Sequence, residues 1–258
     1  MPAIVLTRDA QGCARYARAL APLVVVPMPV TRAAPPADPA ALGHALALGE
    51  YTAIVCASAR AAEALVLARL REPSPHPWPD VWAVGSATAS VLAAAGIRAV
   101  VPAGVVDAST LATALVAHLR TRGNDSAAIP RVLAARAKDG RDEGLAILRA
   151  ASIEVVDVTV YRTLATASDD PALEAGLAAL SSGAGAAVAC AVFAPSQVAA
   201  LDALLGIRAI ATPFVAIGET TAAALRAAGA PAGAIAVALA PTPEGLAKAV
   251  AAVYPPRR

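Results

Sequence analysis

The chain has 258 residues, 58% of them hydrophobic and only 3% aromatic, and that much apolar material excludes a disordered chain. A formal net charge of +2 excludes a global field that would draw nucleic acid or an anionic membrane. The length suits one large domain or two small ones.

Short β-branched runs alternate with Ala- and Leu-rich stretches of helical length. The opening Met1-Pro2-Ala3-Ile4-Val5-Leu6 has no basic region and no long apolar run, so no signal peptide is expected. Strands are predicted at Ala3–Leu6, Leu23–Met28, Thr52–Cys56, Val81–Val84 and Ile97–Val101. Further strands are predicted at Arg131–Ala135, Ile153–Tyr161, Val188–Phe193, Phe214–Ile217 and Ile235–Leu239. Between them fall predicted helices at Ala10–Ala21, Ala59–Arg71, Thr88–Ala95 and Leu111–Arg122. Others are predicted at Gly144–Ala150, Val198–Leu205, Thr221–Ala228 and Leu246–Val253. Ala175 to Leu201 carries no charge, but it is mostly Ala and Gly and is broken by Ser181, Ser182 and Pro195. It reads as a helix, a turn, a buried strand and a second helix start, not as a membrane span. Strands apolar on both faces, alternating with helices, indicate parallel sheets covered by helices. Ten strands suit two sheets of five.

An internal repeat is the strongest feature. Val84-Gly85-Ser86-Ala87-Thr88-Ala89, then Leu92 and Gly96, matches Ile217-Gly218-Glu219-Thr220-Thr221-Ala222, then Leu225 and Gly229. Upstream, Val55-Cys56-Ala57-Ser58 resembles Phe193-Ala194-Pro195-Ser196, and Val5-Leu6-Thr7-Arg8 resembles the run from Val132 to Arg136. A period near half the chain means duplicated domains. Pro27–Arg32, leading into the Pro- and Ala-rich Ala33–Pro39, and Val160–Thr163, leading into the polar Ala167–Pro171, read as two crossings between them. The working site is expected in the cleft between the two domains.

In open parallel sheets, ligands bind beyond the carboxyl ends of the strands, where loops enter helices. Ser58, Gly85, Ser86, Thr88, Ser196, Gly218, Thr220 and Thr221 all fall at such turns. Glycine lets backbone approach a ligand, and the following helix start offers free N–H groups to an anion. The hydroxyls are equally suited to capping helices. Basic side chains are nearly all Arg, with Lys138 and Lys248 the only lysines. Arg holds carboxylates bidentately and so suits an anionic ligand, although a GC-rich genome produces the same bias.

Other chemistries lack their signatures. There is no G-x-S-x-G, no G-x-x-x-x-G-K-[ST] and no early G-x-G-x-x-G after the first strand. Cys13, Cys56 and Cys190 are an odd number of distant thiols without a C-x-x-C pair, so neither a disulfide framework nor a zinc site is expected. Cys56 and Cys190 stand in apolar runs as buried small hydrophobes do, and a reducing compartment is expected, the cytoplasm. His44, His76 and His118 are scattered and read as surface residues. No metal and no cofactor are expected.

The paired turns, the Val-x-x-Ser strand end, the crossing Val160-Tyr161-Arg162 and the closing Pro241-Thr242-Pro243-Glu244-Gly245-Leu246 resemble uroporphyrinogen-III synthase. The resemblance runs from Val5 to about Val250. It implies two flavodoxin-like α/β domains, each a five-stranded parallel sheet flanked by helices, joined by a two-stranded linker. In that family the first strand–helix–strand joins the C-terminal half in one domain, here residues 1–33 with 164–258. The middle, residues 34–163, forms the other. The implied reaction is cyclisation of linear hydroxymethylbilane to uroporphyrinogen III, with inversion of ring D and loss of water, in tetrapyrrole biosynthesis and without a cofactor.

The implied substrate carries its carboxylates as acetates and propionates. Arg8, Arg60, Arg136, Arg141 and Arg162 are candidates to bind them, together with the helix-start turns. Tyr161 corresponds to the family's tyrosine and is the expected proton donor to the leaving hydroxyl, since phenols in general keep their proton at neutral pH. Some positions depart from the family pattern. Cys56-Ala57-Ser58-Ala59-Arg60 lacks the usual Thr before the Ser, and Ser86 and Glu219 stand where Pro is common. Two rival readings use the same features: a non-catalytic cleft binder of a small polyanion, and a paralogue that kept the fold without the activity. The expected form is a monomer that binds neither nucleic acid nor membrane.

Overall fold

The run Ala-Ile-Val-Leu at the N-terminus forms β1 (Ala3–Leu6), followed by α1 (Ala10–Leu20), β2 (Val24–Pro27) and β3 (Thr31–Ala34) in a computed structural model of the chain. Next come α2 (Ala41–Leu48), β4 (Ala53–Cys56), α3 (Ala59–Arg71), β5 (Val81–Ala83), α4 (Gly85–Ala94), β6 (Ala99–Val100) and α5 (Ala108–Thr121). The second half supplies β7 (Arg131–Ala137), α6 (Glu143–Ala150), β8 (Glu154–Ala165), α7 (Glu174–Leu180), β9 (Ala189–Val192) and α8 (Pro195–Leu205). It ends with β10 (Phe214–Ala216), α9 (Glu219–Ala227), β11 (Ile235–Val237) and α10 (Pro243–Val253). The structure describes residues 1–71, 78–121, 129–181 and 187–254; His76 lies outside them.

The chain divides into two units, Met1–Arg32 with Leu164–Arg258, and Ala33–Thr163. In the first unit the strand order is β11-β10-β9-β1-β2 and every pairing is parallel. Side chains alternate across this sheet as the two-residue period requires. Ile4 and Leu6 pack with Tyr16, Leu246 and Val250, whereas Val5 packs on the other face with Val198, Leu201 and Leu225. In the second unit the order is β3-β8-β7-β4-β5-β6, with parallel pairings from β8 to β6. Ile54, Cys56 and Leu133 face Leu46, Leu65 and Leu92 on one side. Val55, Trp82 and Val132 face Leu111, Leu115 and Leu148 on the other.

The sheets answer the repeat. β1, β2, β9, β10 and β11 stand in one sheet where β7, β8, β4, β5 and β6 stand in the other. Counted along the repeat, both read 2-1-3-4-5, the flavodoxin-like order. Each unit therefore takes two strands from one half of the chain and three from the other.

Three features differ from the sequence reading. The second sheet has a sixth strand, β3, beside β8, in the crossing segment that Pro and Ala had marked as linker. Helix α2 was not anticipated, because Ala and Leu surround it on all sides and leave no period to read. Helices α4, α5, α8, α9 and α10 begin two or three residues before their predicted starts. Apolar periodicity begins only where a helix meets its sheet, while the first turn is set by capping chemistry. No helix among the described residues is long and apolar enough to cross a membrane.

The start of α10 is packed tightly against the loop that leads into it. Thr242 caps it by accepting a 3.1 Å hydrogen bond from Gly245 N, and a Cβ at Gly245 would lie 2.2 Å from the backbone oxygen of Ala240. Backbone cannot yield as a side-chain tip can. Gly245→Ala is expected to cost about 2 kcal/mol of stability in urea unfolding, within the range for overpacking. Gly233→Ala, where a Cβ meets nothing within 4 Å, should change stability by less than about 0.5 kcal/mol.

Candidate functional site

In sheets of this order the crevice for ligands opens where neighbouring strands send their helices to opposite faces. In the second unit this is the gap between β4 and β7, because α3 packs on one face and α6 on the other. A cavity of about 300 Å³ lies there, lined by Ala57, Ser58, Val84, Asp107, Arg136, Gly140, Arg141 and Tyr161 among others. Larger cavities of about 510 and 530 Å³ lie beside α2 and α3 and beside α1 and α10, away from the Ser58 and Gly85 turns. Convergence of polar groups, not volume, singles out the smaller one.

Ser58 stands two residues beyond β4 and caps α3, its Oγ accepting from Ala61 N at 3.2 Å. The same Oγ stands 3.4 Å from Tyr161 Oη, where either hydroxyl can donate. A β-bulge makes that meeting possible. Val156, Val158 and Val160 alternate onto the α3 face of β8, so a regular strand would send Tyr161 to the opposite face. The register shifts between Arg136 and Ala137, which pair with Thr159 and Tyr161, and the extra residue returns Tyr161 to the α3 side. The Arg60 guanidinium lies 6.0 Å from the centre of the Tyr161 ring.

Arg136 differs from its expected role. Its Nε donates to Asp157 at 2.9 Å, Nη2 to Asp142 at 2.6 Å, and Nη1 to the carbonyls of Gly140 and Arg141 at 2.6 and 3.2 Å. Most of its five N–H donors are thus spent inside the protein, and it organises the loop after β7 instead of offering a free fork. Desolvation opposes its charge, but the hydrogen bonds and charges of Asp157 and Asp142 prevail and raise its pKa. Arg162 is likewise engaged, donating through Nε to Pro35 O at 2.8 Å. Arg141 lines the cavity, is exposed, and has no acidic ion-pair partner among the described residues.

Gly85 has φ +78°, in the left-handed region that favours glycine, and Ser86 after it is exposed. Thr88 and Thr221 are each 3% exposed, buried on the inner faces of α4 and α9 and withdrawn from the turn surface. Thr220 is exposed, and Gly218 caps α9 in an extended conformation. Glu219 pairs with Arg226 at 2.6 Å along the outside of α9.

The equivalence of Ser58 with Ser196 also needs correction. Cys56 lies opposite Ala83, and Val192 opposite Ala216, so the Gly85 and Gly218 turns put Ser58 level with Ala194. Ser196 stands two residues further on, exposed in the first turn of α8. In this unit the residues that sequence reasoning passed over are Thr7 and Gln197. Gln197 Oε1 accepts from Phe193 N at 2.9 Å and from Thr7 Oγ1 at 2.7 Å. Arg8 lies over the Phe193 ring, 4.7 Å from its centre, and donates to Tyr16 Oη at 3.4 Å. Asp107, also passed over, caps the start of α5 by accepting from Thr110 N at 2.9 Å, and Thr110 holds its pKa below the usual carboxylate value, helped by Arg141. Its Asp-x-x-Thr spacing was the available signal.

Among the described residues no group of three or more His, Cys, Asp or Glu is placed to hold a metal. His44 is exposed, but His118 is half-buried with its ring centre 5.0 Å from that of Trp82. All three cysteines are buried and free. Burial pushes Cys56 and Cys190 up to about 12 and Cys13 up to about 11, from a usual value of 9.0. A raised thiol pKa favours the neutral group in the fold, so this contribution is intact below pH 9 and is lost as pH climbs through 11 to 12. The folded protein at pH 8 should leave all three thiols unlabelled by a disulfide reagent, with full labelling in denaturant, and its urea midpoint should fall above pH 9.

A family model described as Uroporphyrinogen-III synthase HemD matches residues 14–248. Among solved structures the chain is similar to uroporphyrinogen-III synthetase from Helicobacter pylori, with a TM-score of 0.63 at 18% identity, over 98% of this chain and 100% of that one. It is also similar to a mutant uroporphyrinogen III synthase from the extreme thermophile Thermus thermophilus, with a TM-score of 0.55 at 21% identity, over 98% of each chain. At these identities the structures speak for the fold. No curated protein matches the chain by sequence. With the fold shared and the family model spanning nearly the whole length, the chain belongs to the uroporphyrinogen-III synthase family of cyclising hydro-lyases.

Proposed function

We propose that the protein closes linear hydroxymethylbilane to uroporphyrinogen III using Tyr161 as proton donor, Ser58 as its partner, and Arg60, Arg141 and Arg8 as carboxylate ligands. The observation that supports the Tyr161 and Ser58 roles is their contact of 3.4 Å in the cavity at the carboxyl ends of β4 and β7. The departing hydroxyl keeps the C–O electron pair, takes a proton and leaves as water, and the pyrrole system delocalises the positive charge left behind. Tyr161 Oη–H is the group in this cavity suited to give that proton. As negative charge grows on Oη, Ser58 Oγ–H can donate to it, and the Arg60 cation over the ring stabilises it further.

The rest of the rate enhancement falls to positioning. The bilane also closes without inversion in solution, so selectivity requires its ends to be held for the inverting route. Arg60 and Arg141 are exposed, which leaves their forks available to substrate acetates and propionates. Arg136 acts indirectly, by shaping the Gly140–Arg141 loop. A monomeric state and a cytoplasmic location belong to the same proposal.

The test generates the bilane in situ, adds the protein, oxidises the products and separates uroporphyrin I from III. Isomer III in proportion to enzyme is expected; isomer I alone from folded protein would sink the proposal. Tyr161→Phe should lower kcat about 10²-fold, at the lower end for a positioned acid. Ser58→Ala should lower it less, about fivefold, as loss of one neutral hydrogen bond does. An unchanged rate for folded Tyr161→Phe would move the proton-donor role elsewhere.

A further inference from the structure

The first unit holds a polar group that the proposed mechanism leaves unused. Gln197 sits in the first turn of α8, at the carboxyl end of β9 and next to β1. Phe193 N–H can only donate, so the atom it meets at 2.9 Å is the amide oxygen, and this settles which way the carboxamide points. Thr7, 1% exposed, holds the same oxygen from the other side at 2.7 Å. With Oε1 clamped twice, the NH2 group must face away from both donors. It has no protein partner among the described residues, and no buried side-chain nitrogen or oxygen is left unsatisfied there, so it meets solvent.

Helix capping accounts for the oxygen alone. It does not account for Thr7, a buried hydroxyl that reaches the same atom although Ala191 O, at 3.1 Å, already offers it an acceptor. The second unit has neither group, since the sheet register puts Ala135 level with Thr7 and Ala61 level with Gln197. Arg8 shares the anchor. It follows Thr7, is oriented by the Phe193 ring and Tyr16 Oη, and has no ion-pair partner among the described residues.

We infer that Gln197 is a specificity-determining residue of a substrate-carboxylate subsite in the first unit, its fixed NH2 donating to a carboxylate side chain that Arg8 also attracts. This rests on the proposed function. A guanidinium draws any anion, whereas a locked carboxamide donates along a set direction, so the pair selects the position of a carboxylate as well as its charge.

Gln197→Glu tests this while sparing the fold. A carboxylate still accepts from Phe193 N–H and Thr7, and a negative charge is favoured in the first turn of a helix, so the melting temperature should hold or rise. The NH2 donor becomes an acceptor that repels the substrate. KM should rise roughly tenfold or more with kcat little changed, the pattern of a lost binding contact. A titration with uroporphyrin III, an octacarboxylate, read by porphyrin fluorescence should weaken by a similar factor. A purely structural role predicts instead an unchanged KM and an unchanged porphyrin affinity, and either result in the folded variant overturns the inference. Should the wild-type chain make no isomer III, the proposed reaction fails, yet the porphyrin titration still decides this point. Weaker binding by the variant upholds it, while equal binding, or none by the wild type, overturns it.

Discussion

Each unit is held together by the pairing of a strand from one half of the chain with a strand from the other. β1 bonds to β9 across the first sheet, and β7 bonds to β4 across the second. Both pairings are central and parallel, so their strands are covered on both faces and must be apolar throughout. Ile4, Val5, Leu6, Ala189, Cys190 and Ala191 are fully buried for that reason. Without these pairings neither half of the chain could complete a five-stranded sheet. The order of elements, the two crossings through β3 and β8, and the placement of every functional turn follow from them.

The same pairings locate the chemistry. Parallel strands send all their carboxyl ends to one edge, and at the gap between the first and third strands of the repeat the backbone parts to make a crevice. The two copies of that crevice have diverged. In one, a capping serine meets a tyrosine that a bulge has turned toward it. In the other, the serine position is alanine, and a threonine and a glutamine make the polar cluster instead. Duplication supplied two similar edges, and substitution at single positions made them unlike.

Charge is distributed with the same economy. Arg136 is held by two carboxylates and two carbonyls, Arg162 by a backbone carbonyl, and Arg226 by Glu219. Arg8, Arg60 and Arg141 have no ion-pair partner among the described residues, yet Arg8 lies over Phe193, Arg60 lies by the Tyr161 ring, and Arg141 lines the cavity. A net charge of +2 therefore understates the local cationic character of these edges.

Local chemistry determined much of this from sequence alone. Apolar runs bounded by Gly, Pro and polar residues located the principal strands, alternation with helices made the sheets parallel, and the Gly85 and Gly218 turns exposed the duplication. The family resemblance pointed to Tyr161. What escaped were relations between distant residues. The Ser58–Ser196 match was two residues out because strand register is set by hydrogen bonding across the sheet, which no ungapped comparison can sense. The partners that occupy Arg136 come from β8 and from the loop after β7, so a candidate anion ligand became a loop anchor only in three dimensions. Thr7 and Gln197 are far apart in the chain and meet only because β1 lies beside β9. A side chain's availability depends on every group within hydrogen-bonding reach, and only tertiary structure brings those groups together.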